Sequence, residues 1–409
     1  MKLFAFGRVF WILALLFVFI IPSAWARSTR RTSGKTGDRP VSDDASARRA
    51  PAQVAKAKKS TTPKRKVTTR RKKTRRARQV WTTSPYADST AGDVVEGEDP
   101  LVRQAAVEAL GPLNGSIVAV DPKSGRILAM VNQRVALGDG YIPCSTIKMP
   151  VALAALSEGV IEKETRVRLG RRWSMDLVEA LAKSNNPFFE QLGRKMGFEK
   201  LSEYAQMFGF GELAGWNLEG EKLGEFPDHP AKAGVGRMCS FGDEISVTPL
   251  QLGAFVSAVA NGGTLYYLQH PRTAGEAAAF EPRVKRQLTI REYLPPLREG
   301  MLAAVEYGTA KRVENPYGTV LGKTGTCSEG GTRLGWFASF ESASDPKLAL
   351  VVLLRGGRST VGPKAAEVAG QVYRNLHQRN YYALRQEQQE QEPEPGAKPP
   401  LPATAIISR

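Results

Sequence analysis

Ser116-Ile117-Val118-Ala119-Val120-Asp121-Pro122-Lys123-Ser124-Gly125-Arg126-Ile127-Leu128-Ala129-Met130-Val131 reads as a β-hairpin. Its β-rich runs, Ser116–Asp121 and Arg126–Val131, flank the turn-forming Asp121-Pro122-Lys123-Ser124-Gly125. Comparable runs return only far along the chain, at Thr319–Thr326, Leu334–Phe340 and Leu348–Leu354. The sequence between them is helical in pattern. Met149–Leu156 and Asp176–Lys183 read as helices, as does Pro187–Met196, with Gly197 placed to end it. Thr248-Pro249-Leu250-Gln251 is a capping box with proline at the first helical position, opening a helix to Asn261 that Gly262-Gly263 stops. Lys364–Tyr382 reads as a closing helix. Strands, a long helical middle, strands and a terminal helix predict an α+β fold, its one sheet assembled from both ends of the domain.

Outside this domain the composition changes. The 409 residues are 42% hydrophobic and 24% charged, enough for a sizeable core, yet the formal charge is +18. Residues 1–100 hold 22 Lys/Arg against 8 Asp/Glu, a balance of +14, so the remainder is only +4. The charge belongs to a tail and not to a basic face built into a fold, which argues against nucleic acid as a partner. Lys2 and Arg8 precede the apolar run Val9–Ile21 and an Ala24-Trp25-Ala26 site, the layout of an export signal, cleaved or kept as an anchor, over residues 1–26. Residues 27–99 are expected to be a disordered basic linker, since 27–78 carry 20 Lys/Arg and almost no large apolar side chains. That segment reads as a solvated tether, or as one attracted to anionic lipid headgroups or wall polymers. The folded domain is expected at 100–385 and a disordered Gln/Glu/Pro-rich tail at 386–409. Three cysteines are too few for a disulfide framework, and His229, His270 and His377 lack zinc-type spacing, so neither metal nor cofactor is expected.

Three short motifs carry the chemistry. In Pro143-Cys144-Ser145-Thr146-Ile147-Lys148, a serine and a lysine three residues apart share one helix face. A serine hydroxyl attacks only when a base takes its proton. Neutralising a lysine at pH 7 costs roughly 4.6 kcal/mol, which burial and a second cation would offset. Ser184-Asn185-Asn186 lies between two helices and alone is a turn or helix cap. Lys323-Thr324-Gly325-Thr326 lies in a β-rich run, where the glycine would let a substrate backbone lie close to the strand and Lys323 could be the second cation.

Together and in this order, Ser-x-x-Lys, Ser-x-Asn and Lys-Thr-Gly form the signature of the active-site-serine, penicillin-interacting enzymes. From about Asn114 to Asn380 the chain resembles the transpeptidase domain of penicillin-binding proteins, most like class B. The hairpin Ile117–Met130, Val247-Thr248-Pro249-Leu250-Gln251-Leu252, Ala260-Asn261-Gly262-Gly263, Gly308-Thr309-Ala310 and Gly335-Trp336-Phe337 also match. The resemblance implies a mainly antiparallel sheet flanked by helices, with an all-helical subdomain. It implies an exported D,D-transpeptidase acting on peptidoglycan stem peptides and acylated by β-lactams, placed in the periplasm or on the outer face of the cytoplasmic membrane. Ser145 would be the nucleophile, Lys148 its base, Ser184 the proton relay and Lys323 the source of positive potential. Asn186, Thr324, Gly325 and Thr326 would bind substrate, and the backbone N–H groups of Ser145 and Thr326 would form the oxyanion hole.

The sequence also departs from the family. It has no room for a glycosyltransferase domain and only the basic segment where class B proteins carry a pedestal. Ser240-Phe241-Gly242-Asp243 stands where a Gly-Gln-Gly turn is usual, and Cys144 and Cys327 flank two motifs. They read as small buried residues or as a redox-sensitive pair. A D,D-carboxypeptidase, a class D-like serine β-lactamase and a non-catalytic wall-binding module are the alternative functions.

Overall fold

The computed structural model describes residues 80–342 and 345–391. The expected export signal, the basic segment 27–78 and residues 392–409 of the expected tail lie outside the described residues. In chain order the main elements are α1 (Pro100–Leu110), β1 (Gly115–Val120), β2 (Ile127–Val131) and a short 3₁₀ turn, Cys144–Ile147, that runs into α2 (Lys148–Ser157). Then come α3 (Leu177–Ala182), α4 (Asn186–Met207), α5 (Val235–Phe241), α6 (Pro249–Asn261) and α7 (Leu294–Glu306). The chain closes with β3 (Val320–Glu329), β4 (Thr332–Glu341), β5 (Leu348–Gly356), α8 (Gly362–Gln378) and α9 (Tyr381–Gln391).

The late strands form a meander whose last member returns to the opening hairpin. The five-stranded sheet runs β2-β1-β5-β4-β3 and is antiparallel throughout. The opening hairpin and the late strands therefore meet at the β1–β5 pair, where Val118 faces Val351. Both faces of the sheet are covered, and side chains alternate between them. Val118, Val120, Leu334, Trp336, Val351 and Leu353 face the helical layer that holds α2 to α7. Ile117, Ala119, Phe337, Leu350 and Val352 face α1 and α8. On α8, Ala365, Ala366, Ala369, Val372, Tyr373 and Leu376 form the buried stripe that the 3.6-residue period requires.

The local signals hold. The Thr248–Gln251 capping box makes both of its bonds, and Gly262 ends α6 in the left-handed region. Gly197, at φ 82°, breaks α4 where expected, and a second helical stretch then runs on to Met207. The helical layer also carries a short two-stranded ribbon, Val167–Gly170 with Trp173–Met175.

Two expected boundaries move. Residues 80–99 are not linker but part of the folded unit, held by polar groups that composition cannot reveal. The Thr82 N–H donates to the Gly331 carbonyl (3.1 Å), and the buried Glu98 carboxylate accepts the Met130 N–H (2.9 Å). At the other end, helix continues through the first residues of the expected tail to Gln391. Buried Tyr381 and the Arg385–Asp121 ion pair (2.6 Å) dock its start, and Gln and Glu are good helix formers.

Candidate active site

The three motifs converge between the free edge of the sheet and the helical layer. β3 is the edge strand, so Lys323 to Thr326 lie at the sheet's rim. The turn Cys144–Ile147 packs against that strand and carries Ser145 in its first turn, where backbone N–H groups have no partner within the turn. Lys148 opens α2, one helical turn after Ser145. Ser184 sits in the α3–α4 connection at φ 53°, a left-handed conformation that is uncommon outside glycine. Asn185 caps α4 by accepting the Phe188 N–H (2.9 Å), so the connection is a helix cap and a site loop at once.

Lys148 is the hub. Its Nζ lies 3.0 Å from Ser145 Oγ, 2.8 Å from the Ser184 carbonyl, 3.1 Å from Ser184 Oγ and 2.5 Å from Asn186 Oδ1. A charged ammonium has three protons for these four oxygens. A neutral amine fits the same oxygens: two N–H bonds go to the carbonyl and amide oxygens, which can only accept, leaving a lone pair for a hydroxyl. Lys323 Nζ lies 2.9 Å from the same Ser184 Oγ and 3.0 Å from the Thr324 carbonyl. One polar chain thus runs Ser145, Lys148, Ser184, Lys323.

Electrostatics favours the neutral amine. Both lysines are completely buried, and neither makes an ion pair among the described residues. Burial, and then the Lys323 charge, hold the Lys148 ammonium well below the usual lysine range, against a smaller opposing pull from Glu190. Burial pulls Lys323 down to about 7. The Phe189 ring, 5.6 Å from Lys148 Nζ, forms part of the dry wall. A serine hydroxyl facing a neutral buried amine is an activated nucleophile.

All eight expected residues come together. Thr324 Oγ1 lies 2.6 Å from Thr309 Oγ1, and Thr326 Oγ1 accepts the Gly362 N–H (2.7 Å), which leaves its own proton free to donate. Gly325 gives close approach to the protein's own chain. A Cβ there would lie 3.0 Å from the Pro143 oxygen and 3.2 Å from Cys144 Cβ, so the turn that carries Ser145 packs tightly on that side. Sequence reasoning did not assign a role to Thr309, although Gly308-Thr309-Ala310 was a recognisable match. It also left Cys144 and Cys327 open; they are joined in a disulfide.

The penicillin-binding protein transpeptidase domain model matches residues 115–376. The chain belongs to this family. Among the transpeptidase family's curated members, it is 30% identical over 310 residues to stage V sporulation protein D of Bacillus subtilis, covering 63% of this chain and 48% of that protein. It is 25% identical over 367 residues to the peptidoglycan D,D-transpeptidase MrdA of Acinetobacter baumannii, covering 70% and 54%. The chain therefore spans about half the length of these two relatives. The D,D-transpeptidase domain of a peptidoglycan glycosyltransferase from Eggerthella lenta shares the fold, with a TM-score of 0.57 at 23% identity over 69% of this chain and 82% of that one.

Proposed function

We propose that the protein is a serine-type D,D-transpeptidase that cross-links peptidoglycan outside the cytoplasmic membrane and is acylated by β-lactams. The observation that carries this reading is the buried Lys148 amine, 3.0 Å from Ser145 Oγ and without an ion pair among the described residues. Membership of the penicillin-binding transpeptidase family supplies the substrate class.

In this mechanism Ser145 Oγ attacks the carbonyl of the penultimate D-Ala as its proton passes to Lys148 Nζ. The oxyanion is held by the N–H groups of Ser145 and Thr326, a kind of preorganised donor worth about 3–4 kcal/mol in related chemistry. The C–N bond then breaks, the proton reaches the leaving amine through Ser184, and D-Ala departs. An amine of a second stem peptide takes the acyl group and frees Ser145. Lys323, Thr324 and Thr326 hold the substrate's terminal carboxylate, and Asn186 holds its amide while orienting Lys148.

Incubation with a stem peptide ending in D-Ala-D-Ala and a labelled D-amino acid tests this. Release of D-Ala with transfer of the label, both lost in Ser145→Ala, is expected. Hydrolysis without transfer would make the protein a carboxypeptidase, rapid turnover of penicillin would make it a β-lactamase, and no reaction at all would reject catalysis.

A further inference from the structure

The Cys144–Cys327 disulfide takes no part in the polar chain, yet its ends are the neighbours of the two groups that face the oxyanion. Cys144 precedes Ser145, and Cys327 follows Thr326. The bridge spans 183 residues of sequence and brings the two Cα atoms to 5.5 Å.

Three further observations show that this junction is held tightly. Cys144 has φ 52°, a conformation a non-glycine residue keeps only where its surroundings impose it. At Gly325 an added Cβ would crowd Pro143–Cys144, lying 3.0 Å from the Pro143 oxygen and 3.2 Å from Cys144 Cβ. The Trp336 indole N–H donates to the Ile142 carbonyl (3.0 Å), fastening the same loop to β4. The disulfide is the one covalent member of this clasp.

We propose that the Cys144–Cys327 disulfide is a positioning device for acylation. It sets the spacing between the Ser145 and Thr326 N–H groups, and an extracytoplasmic dithiol that reduces it slows the chemical step without emptying the site. This rests on the assignment of Ser145 and of that N–H pair above. The exchange balances. A thiolate attacks the Sγ of Cys327, a half-buried residue, while Cys144 is buried and leaves as thiolate. The second thiol of the reductant then resolves the mixed disulfide. Two electrons and two protons pass to the enzyme, giving two cysteine thiols and one oxidised reductant. Because the two N–H groups act on the developing oxyanion, the loss falls on the acylation rate constant and not on ground-state binding.

The test uses the full chain and a fluorescent penicillin, with the acylation rate constant separated from the dissociation constant by varying penicillin concentration. It is run on the oxidised enzyme, after dithiothreitol and after reoxidation. Alkylation and mass mapping confirm reduction, with Cys239 as the internal reference, since burial pushes its thiol up to about 12. A displacement of about 1 Å at such a site costs on the order of 10²-fold, the loss expected on reduction. The dissociation constant should change less than about threefold, and reoxidation should restore the rate. The Cys144→Ala/Cys327→Ala variant should have the reduced enzyme's rate and ignore dithiothreitol. If it does not fold, the reduction series on the unaltered chain decides. An unchanged acylation rate after verified reduction overturns the proposal. So does a joint loss of binding, rate and thermal midpoint, the mark of a merely structural link. Absence of labelling at Ser145 in the oxidised enzyme would instead overturn the functional reading on which the proposal rests.

Discussion

Beside β2, the carboxylates of Asp93 and Glu98 are buried among partners, whereas beside β3 the amino groups of Lys148 and Lys323 are buried with no ion pair among the described residues. Asp93 accepts the N–H groups of Asn132 (2.9 Å) and Gln133 (2.8 Å) and pairs with Arg103 at 2.8 Å. Glu98 accepts the Met130 N–H, lies 2.9 Å from His270 Nε2 and 3.4 Å from Arg103. Every charge in that cluster is answered, and it fastens residues 80–99 to the domain. At the other edge, two lysine amino groups share one serine hydroxyl. Burying an ion without a partner is costly, and nothing in the fold's stability recovers that cost. Paired burial marks structure; unpaired like-charge burial marks chemistry.

The largest effect should come from Lys148→Met, which removes the base while keeping an apolar stem. Acylation by penicillin should fall by about 10²–10⁴-fold, and the thermal midpoint should hold or rise. A midpoint that drops as for a core defect would break the contrast.

Glu98→Ala should do the reverse. It strands His270 and a buried N–H, costing about 3–5 kcal/mol in chemical denaturation, while the folded enzyme keeps its acylation rate. A slowed rate in the folded protein would mean that the two clusters are coupled.

Lys323→Met tests the like charges themselves. The Lys323 charge disfavours protonation of Lys148, so its removal raises the Lys148 pKa, and the acid limb of the acylation profile should move to higher pH. Stability gives a second readout. With Lys323 at about 7 when folded and in the ordinary lysine range when unfolded, the folded state binds fewer protons between those values. The unaltered domain should therefore grow more stable as pH rises from about 7 towards 10, and the variant should show a shallower slope, keeping only the share that buried Lys148 contributes. Parallel pH profiles in the two proteins would sink the assignment.

The smallest effect should follow deletion of residues 27–79, which stops short of the Asp93 and Glu98 anchors. Acylation should be unchanged, and salt-dependent sedimentation with anionic wall material should be lost, since exposed charges are screened over about 8–10 Å at physiological ionic strength. A slower acylation would contradict the tether reading.

What could be read in the sequence divides along the same line. The hairpin at Ser116–Val131, the meander of late strands and the Thr248 capping box declare themselves through local periodicity and turn chemistry. The motif lysines and serines were legible because their spacing and order are specific. The Asp93 and Glu98 anchors were not, because isolated acids in a polar stretch look like solvated linker until the backbone N–H groups of β2 are beside them. The packing at Gly325 was hidden for a related reason. A glycine announces close approach but not what approaches, and here it is Pro143–Cys144. The disulfide was equally hidden, since 183 residues of separation carry no signal of contact.

The most direct test of the account is the pH dependence of acylation by benzylpenicillin, with the adduct mapped by peptide mass. A neutral Lys148 predicts one adduct, on Ser145, formed at a rate that reaches half its maximum far below the ordinary lysine value of about 10.4. An adduct on another residue, or a rate that climbs only as an ordinary lysine titrates, would contradict it.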